Sequence, residues 1–526
     1  MKKLPGIFND VIGPVMRGPS SSHTAASWRI GRIALDILNE PLKHALIEFD
    51  RDGAWAPNYR EQGTTMGFDG GLSGLEITDE RMKSADSFAL QKDIIIEYRV
   101  GSFPADHPNT VRLILQGITG KTVELIAVSL GGGSFEIRFV NGFAVKLNGD
   151  LYGLMVFTAG KPDCSDELKT RVPPGVDFSV DQQGDRIKHE FRSSYPLPPE
   201  LISHIQNHPF IDEFAVINPV MPVIAGRETE MPFSSITSLL GFACEKNADL
   251  GDLGLIYEKC ISGCSGDDLN ARMKEIISII HNSIDTGLKG TNYADRILQQ
   301  QSHLISNAEK EGRIRESVVN RIIENVSALM ESKSAMEVIV AAPTAGSCGT
   351  VGGSMRAVSD NPGTSAGKLG NSADELIKAY FAAGIVGAYF AQGPGFSAEE
   401  HGCQVECGAA SGMAAAGIAQ LMGGTAKQAI DAASLAIQNM IGLICDPVAD
   451  RVEVPCLGKN ISAAVNAYAS AIMAISGFDA VIPLDQVIQT VTEVGKLMPP
   501  CVKCTGKGGL AVTETALKIK NRLKGL

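Results

Sequence analysis

Three features are scarce or missing in this sequence of 526 residues. Acidic residues outnumber basic ones by 59 to 47, so the formal charge is -12 and no basic stripe is left to neutralise a phosphate backbone. The longest apolar run, "AYFAAGIVGAYFA" at 379–391, is too short for a bilayer. The first residues, "MKKLPGIFNDVIG", lack the apolar stretch of a signal peptide. We therefore expect a cytoplasmic protein that binds small molecules and neither nucleic acid nor a membrane.

Cysteine, in contrast, is plentiful. Eleven cysteines are many for a compartment that keeps thiols reduced, so metal binding or catalysis is their expected use. No CxxC is paired with another CxxC at zinc-ribbon spacing, which disfavours a closed structural zinc site. Free cysteines also serve as small buried fillers, and this reading suits four that have no partner clusters: Cys164, Cys244, Cys260 and Cys264.

The chain is too long for one hydrophobic core and its patterns predict three domains. Residues 1–150 alternate short β-rich runs with glycine-rich turns and one early helix, which predicts an α+β domain. Residues 151–231 have the order βαββαβ, which is typical of a ferredoxin-like domain of the amino-acid-sensing (ACT-like) kind. Residues 232–526 carry amphipathic helices and then helices rich in Ala, Gly and Ser, which predicts an all-α domain.

Three cysteines each lie beside a turn that interrupts an apolar helix. They are Cys403 in "EEHGCQVECG", Cys445 in "GLICDPVAD" and Cys456 in "VEVPCLGKN". Loops that end buried helices direct side chains and free backbone N–H groups into one cavity. Three thiolates there would suit an iron-sulfur cluster with one open iron, although the spacing alone also permits buried fillers.

Several short segments of the sequence, taken together and in order, resemble the iron-sulfur-dependent L-serine dehydratases, also called L-serine ammonia-lyases. The resemblance covers the first 150 residues and most of 232–526, and it makes 151–231 an inserted ACT-like domain. The segments are "GPSSSHTA", "HPNTVR", "SLGGGSFEI", "APTAGSCG", "GCQVECGAASGMAAAG", "CDPVADRVEVPCLGKN" and "KCTGKGGLA".

The resemblance implies a cofactor and a reaction. Cys403, Cys445 and Cys456 match the three cysteines that hold a four-iron, four-sulfur (4Fe-4S) cluster in the family, with the fourth iron presented to the substrate. The implied reaction is β-elimination from a β-hydroxy amino acid, which turns L-serine into pyruvate and ammonia. We expect a homodimer with a small amino acid as its substrate.

Turns of small residues are the candidate substrate-binding segments. "GPSSSHT" could grip a carboxylate or serve as an ordinary N-cap for the helix "AASWRIGRIALDIL". "APTAGSCG" and "KCTGKGGLA" could present amides to an anion or only allow close helix packing. The candidate binding residues are Ser20, Ser21, Ser22, His23, Thr24, Thr344, Ala345, Gly346, Asn460, Lys503 and Thr505.

Two departures from the family pattern bear on catalysis. The family typically has a Gly-His-x-Thr-Asp stretch whose histidine is a candidate acid/base, and Gln62 in "REQGTTMGFDGG" takes that histidine's place. An amide cannot accept a proton at neutral pH. Cys504 stands where the family usually has an acidic residue, and a thiol there could cap the open iron. The candidate catalytic residues are therefore His23, Glu61, Gln62 and Cys504.

Three explanations of Gln62 stay open. Glu61 or another histidine supplies the base, or the substrate differs, or the activity is lost. The alternatives to serine deamination are the same chemistry on another β-substituted amino acid, such as threonine or cysteine, and a non-catalytic amino-acid or redox sensor. A pyridoxal-phosphate dehydratase is less well supported because the sequence has no convincing lysine-centred motif.

Overall fold

The computed structural model describes residues 4–159, 164–224, 226, 231–361 and 373–524. Two sheet-containing units precede a helical unit, so the chain is multidomain with an α+β N-terminal region and a helical C-terminal region. The predicted boundary at 231 adjoins residues 227–230, which lie outside the described ranges. Across the described ranges, no helix combines the length and apolar character needed to cross a membrane.

The first unit is a six-stranded sheet with helices on one face. The strand order is β3-β2-β4-β5-β6-β7, and β2 runs parallel to β3 while the other neighbours are antiparallel. A separate short strand, β1, precedes the sheet in the chain. The bounds are β1 Val15–Met16, α1 Ala26–Leu38, β2 Leu42–Asp50, α2 Thr64–Ser73, α3 Ala85–Gln91, β3 Ile95–Gly101, β4 Thr110–Gly117, β5 Thr122–Gly131, β6 Ser134–Val140 and β7 Phe143–Leu147.

The prediction of one early helix is wrong, because α2 and α3 follow α1. The glycines of α2 explain the error, since they make the segment resemble a turn. A Cβ at Gly71 would lie 2.5 Å from the Trp28 carbonyl oxygen, and one at Gly67 would lie 2.3 Å from the Thr24 carbonyl oxygen. These glycines therefore let α2 lie directly against the backbone of α1 and the segment before it.

The second unit has the predicted order of elements. Its four strands form an antiparallel sheet of order β11-β8-β10-β9 with two helices. Leu154, Phe191, Leu201 and Ile205 belong to a small core of its own. The bounds are β8 Tyr152–Ala159, α4 Ser165–Thr170, β9 Asp177–Gln183, β10 Arg186–Ser193, α5 Pro199–Gln206 and β11 Glu213–Ile217.

The third unit is helical, with β12 as its only strand in the described ranges. β12 pairs with β1 and so ties the start of the chain to the helical unit. The bounds are α6 Ile236–Lys246, α7 Leu250–Ser262, α8 Gly266–Lys289, α9 His303–Lys310, α10 Val318–Ser334, β12 Ile339–Val340, α11 Cys348–Ser359, α12 Ala373–Gln392, α13 Ala398–His401, α14 Cys407–Leu421, α15 Ala426–Gln438, α16 Cys456–Ile475, α17 Leu484–Leu497 and α18 Glu514–Leu523.

Helix α14 lies at the centre of the helical unit and positions the site. Every one of its residues is buried, and it packs against α11, α12, α15 and α16. Its small side chains permit this close packing on all sides, as the Ala- and Gly-rich sequence predicts. The ends of α14 and α16 and the loop after α15 therefore meet, and each of them carries a cysteine.

Candidate active site

Five cysteines meet where these segments end, and we call them the thiol cluster: Cys403, Cys407, Cys445, Cys456 and Cys504. Four are buried in one small cluster, while Cys456, the first residue of α16, is half-buried at its edge. The Sγ atoms of Cys403 and Cys407 are 3.5 Å apart. All three predicted ligands are among the five, and the structure adds Cys407 and Cys504 to them.

The backbone fixes Cys504 beside Cys445. The Cys445 N–H donates to the Val502 carbonyl over 2.8 Å, and the Cys504 N–H donates to the Cys445 carbonyl over 2.9 Å. Cys504 has a φ of 60°, a left-handed conformation that is uncommon for a residue with a side chain. The strained backbone holds this thiol against the cluster.

The thiols differ in acidity. The hydrogen bond from Cys407 lowers the pKa of Cys403 to about 7, whereas the bond to Cys504 and burial raise the pKa of Cys445. Burial raises the pKa of Cys456 to about 12. Without a bound metal, Cys407, Cys445 and Cys456 are therefore neutral, whereas Cys403 has an appreciable thiolate fraction near neutral pH.

His23 lies next to the cluster through Asn58. Its ring is fully buried, and Nε2 is 3.1 Å from Asn58 Oδ1. The Asn58 amide nitrogen donates to the Cys504 carbonyl, so Oδ1 is the atom that faces the histidine and accepts from Nε2–H. Nδ1 is then the unprotonated nitrogen, and it lies 3.1 Å from the hydroxyls of both Ser20 and Ser22.

The ring of His23 is neutral at physiological pH. Burial lowers the pKa of His23, and the nearby Glu399 carboxylate and the Asn58 hydrogen bond oppose this shift. Glu399 Oε1 is 3.4 Å from the Ser22 hydroxyl and 3.8 Å from His23 Nδ1. A neutral imidazole with its lone pair toward two hydroxyls is able to accept a proton.

Of the two interpretations of "GPSSSHT", the one as an ordinary N-cap is wrong. A helical turn over Ser21–Ala25 runs directly into α1, whose N-cap residue is Ala25 and has no side-chain cap bond. The preceding turn already supplies backbone acceptors, and the Thr24 hydroxyl instead donates to the Gln62 carbonyl. The Ser21 hydroxyl accepts from the Ala345 N–H over 3.1 Å, which joins the first unit to the "APTAGSCG" turn.

Of the remaining catalytic candidates, Gln62 and Cys504 contact each other, whereas Glu61 lies apart from them. The Gln62 amide donates to Cys504 Sγ at 3.5 Å, so Gln62 is at the cluster. Glu61 lines a different cavity of about 260 Å³ with Tyr293 and Arg451, and its carboxylate pairs with Lys524 at 3.9 Å.

The "APTAGSCG" turn is held from two sides. The Thr344 hydroxyl donates to Glu406 Oε1 over 2.8 Å. Asn460 donates to the carbonyls of Gly346 and Cys456, and its Oδ1 accepts from Thr350 N–H. Asn460 therefore connects the turn to the start of α16.

Several polar residues of the site escaped sequence reasoning. Burial raises the pKa of Glu406 to about 8, so its carboxyl keeps a proton near neutral pH. Lys459 bonds to Asp446 at 2.6 Å, and the charges of Cys403 and Asp446 raise its pKa against the effect of burial. The acidic content of "EEHGCQVECG" was a signal for Glu399 and Glu406, whereas no local signal marked Asn58.

A cavity of about 520 Å³ opens beside the cluster. It reaches Glu399, which contacts the Ser22 hydroxyl. Lys503 and Thr505, both predicted substrate-binding residues, line it together with Glu400, His401, Lys496 and Lys507. Its three lysines are matched by three acidic side chains, Asp52, Glu399 and Glu400, so the lining offers partners for both the carboxylate and the ammonium of an amino acid.

A second group of potential metal ligands lies in the small sheet unit. Glu167, His204 and His208 are the one set of three such side chains within the described ranges whose ligand atoms lie within 4.8 Å of one another. The Phe210 N–H donates to His208 Nδ1, so Nε2 carries the proton that His208 gives to Glu167. Hydrogen bonds to Glu167 therefore explain why these three side chains lie together. The group is separate from the thiol cluster.

Comparison with known proteins identifies relatives. The family described as "Serine dehydratase alpha chain" matches residues 179–511. The "Probable L-serine dehydratase, alpha chain" of Bacillus subtilis is 33% identical over 298 residues, which cover 56% of this chain and 96% of the relative. The "L-serine dehydratase, alpha chain" of Peptoniphilus asaccharolyticus is 32% identical over 284 residues, 52% of this chain and 93% of the relative.

A beta chain matches as well. The "Probable L-serine dehydratase, beta chain" of Bacillus subtilis is 40% identical over 154 residues, which cover 29% of this chain and 68% of the relative. The alpha-chain family covers more than half of the sequence. The chain therefore belongs to the serine dehydratase alpha chain family and carries, in a single polypeptide, sequence similar to both alpha and beta chains.

Proposed function

We propose that the chain deaminates L-serine to pyruvate and ammonia by β-elimination, using a 4Fe-4S cluster held by Cys403, Cys445 and Cys456. The names of its relatives support the reaction. The observation that carries the proposal is the convergence of thiols from separate segments in one buried cluster, next to His23.

The donor set fits this cofactor. Thiolates are the usual ligands of iron-sulfur clusters, and these thiols lie at helix ends, where free backbone N–H groups are available. No three of them lie within 4.8 Å of one another in the described ranges, whereas ligands of a single ion crowd around it. A cage of several irons takes its ligands at its corners, farther apart. When bound, such a cluster supplies a Lewis-acidic iron that makes hydroxide a better leaving group.

His23 is the base in this proposal. Its Nδ1 accepts the Cα proton, either directly or through the hydroxyl of Ser20 or Ser22, while Asn58 holds the ring by Nε2–H. Glu399 stabilises the imidazolium that results, because its carboxylate lies 3.8 Å from Nδ1. His23 thereby fills the role that Gln62 cannot perform, and Glu61 is not needed.

Two kinds of binding residue are distinguished by their partners. Ser20, Ser22, Lys503 and Thr505 lie at the cavity or next to it, and we propose that they contact the substrate. We assign a positioning role to a second set, which does not line this cavity and whose polar groups join separate segments of the protein: Ser21, Thr24, Thr344, Ala345, Gly346 and Asn460.

We further propose a separate role for each of three domains. Residues 1–150 form a beta-type domain, 151–231 form an ACT-like domain that senses an amino acid, and 232–526 form the catalytic domain. The four-stranded antiparallel sheet of order β11-β8-β10-β9 supports the middle assignment. We expect a cytoplasmic homodimer, which analytical ultracentrifugation tests.

The function is tested by 2-oxo acid release from anaerobically reconstituted protein. L-serine, L-threonine and L-cysteine are compared with iron and sulfide contents measured on the same samples. We expect L-serine to give the highest kcat/KM, with pyruvate as product. Full iron loading without turnover of any amino acid would contradict the proposal and favour a sensor.

A further inference from the structure

Lys333 is a fully buried cation in the last turn of α10. Its ammonium donates to the Val452 carbonyl. No carboxylate oxygen of the described residues lies within 4.0 Å of this ammonium, the largest distance for an ion pair. Glu331, two residues before Lys333 in the same helix, has other partners, because it accepts from the N–H groups of Gln301 and Ser302 and from the Ser302 hydroxyl.

A charge in this position is costly by itself. Moving an ammonium from water into a protein interior costs several kcal/mol unless a negative group compensates it, so buried charges are normally paired. Lys459 follows this rule, with Asp446 at 2.6 Å. Lys333 is buried more deeply than Lys459 and has no such carboxylate partner among the described residues.

Two thiols interact electrostatically with Lys333. Its ammonium acts electrostatically on Cys456, a proposed cluster ligand, and on Cys348 at the start of α11. Val452, which accepts the hydrogen bond from this ammonium, lies in the segment between Cys445 and Cys456, two of the proposed ligands. Among the described residues no carboxylate pairs with Lys333, whereas thiolates bound to an iron-sulfur cage would provide a negative partner.

We infer that Lys333 is the counter-cation of the iron-sulfur cluster, positioned to compensate the negative charge of the Cys456 thiolate and the cage from the side of α10. This inference rests on the proposed cofactor. It assigns Lys333 no contact with substrate and no proton transfer. Its role is to stabilise the anionic cluster and, more strongly, the reduced cluster, whose negative charge is greater.

The role predicts effects of opposite sign in the two forms of the protein. In metal-free protein, Lys333→Met removes an uncompensated buried charge and keeps the aliphatic packing, so thermal stability should stay the same or rise. In cluster-loaded protein, the same change removes the compensating charge. The cluster should then lose iron severalfold faster to a chelator and have a more negative midpoint potential.

The experiment compares wild type, Lys333→Met and Lys310→Met, the last being an exposed lysine at the end of another helix. Each is reconstituted anaerobically, and iron loss to a chelator, the midpoint potential by EPR-monitored titration, and the unfolding temperature with and without cluster are measured. Lys310→Met should match wild type in all of them.

Three results would overturn the inference. Lys333→Met could retain iron and potential like wild type, or it could unfold at a clearly lower temperature when metal-free, which would mark a structural role. Failure of the wild type itself to take up a cluster would remove the proposed cofactor and this inference together. The first two results leave the proposed function intact.

Discussion

The side-chain amide of Gln62 lies 3.5 Å from the thiol of Cys504, although 442 positions separate them in the chain. The resemblance to the family implies a histidine and an acidic residue at these two positions. The two departures therefore contact each other. An amide and a thiol occupy the place of a pair that could carry opposite charges.

This contact predicts that the two positions are energetically coupled. Gln62→His and Cys504→Glu alone should each lower kcat/KM, because the first replaces an amide that donates to the Cys504 thiol and the second buries a carboxylate beside an amide. The double variant should recover part of the loss, with a coupling of about 1 kcal/mol or more. Steady-state kinetics across the cycle measure this. The control is a second double-mutant cycle that combines Gln62→His with Cys501→Glu. Additive effects on kcat/KM in both cycles would refute the coupling.

The proposed ligands predict a difference between two buried cysteines of the same cluster. Cys445→Ser should lose most of its iron and sulfide, because a neutral hydroxyl is a poor substitute for a thiolate. Cys407→Ser should keep both, although its sulfur is only 3.5 Å from that of Cys403. Iron and acid-labile sulfide per chain are measured after anaerobic reconstitution. Equal losses in both variants would show that the ligand set is assigned wrongly.

His23 predicts both a rate and a pH dependence. His23→Gln should lower kcat by about 10²–10⁴-fold while leaving iron content unchanged, as expected for loss of a positioned base. Because burial lowers the pKa of His23, the midpoint of the acidic limb in the pH profile of kcat/KM should lie below pH 6.5 in the wild type. The control is His44→Gln, on strand β2 beside Glu97. A profile of unchanged shape in residual His23→Gln activity would exclude this histidine as the base.

Asp69 predicts a pH dependence of stability. Burial raises the pKa of Asp69 from 3.8 to about 7, with Asp86 adding to the shift and the Tyr98 hydrogen bond and Arg60 opposing it. The folded state therefore holds this proton more tightly than the unfolded chain. Its stabilising contribution is full below pH 3.8 and is lost as the pH rises through about 7.

The measurement is the free energy of unfolding of wild type and Asp69→Asn between pH 4 and 8. Asparagine keeps the acceptor for Tyr98 and does not ionise. Relative to this variant, wild type should lose up to about 4 kcal/mol over the range. A difference that does not change with pH would show that Asp69 titrates normally in the folded protein.

Much of the fold could be predicted from periodicity. The strands of the small sheet and the Ala-rich helices α14 and α16 lie where the patterns place them, because each depends on a local alternation or helical repeat. Helix α2 was missed since its glycines, which are turn residues by local rules, are required by a backbone contact with α1. That contact is tertiary and leaves no local pattern.

In the site, too, features that depend on tertiary contacts could not be predicted from local sequence patterns. The cysteines at 403, 445 and 456 could be proposed because each follows a break in an apolar helix. The tautomer of His23 could not, since it is set by Asn58 and, through it, by the carbonyl of Cys504. The buried charge of Lys333 was also invisible, because a lysine in a helical repeat looks like a solvated one.

The central claim is that three of these thiols hold an iron-sulfur cage with one corner open to substrate. Mössbauer spectroscopy of protein reconstituted anaerobically with iron-57, with and without L-serine, tests it most directly. The account predicts a four-iron cluster in which a single iron site changes when serine is added. A spectrum without a cluster, or one in which no iron responds to serine, would contradict it.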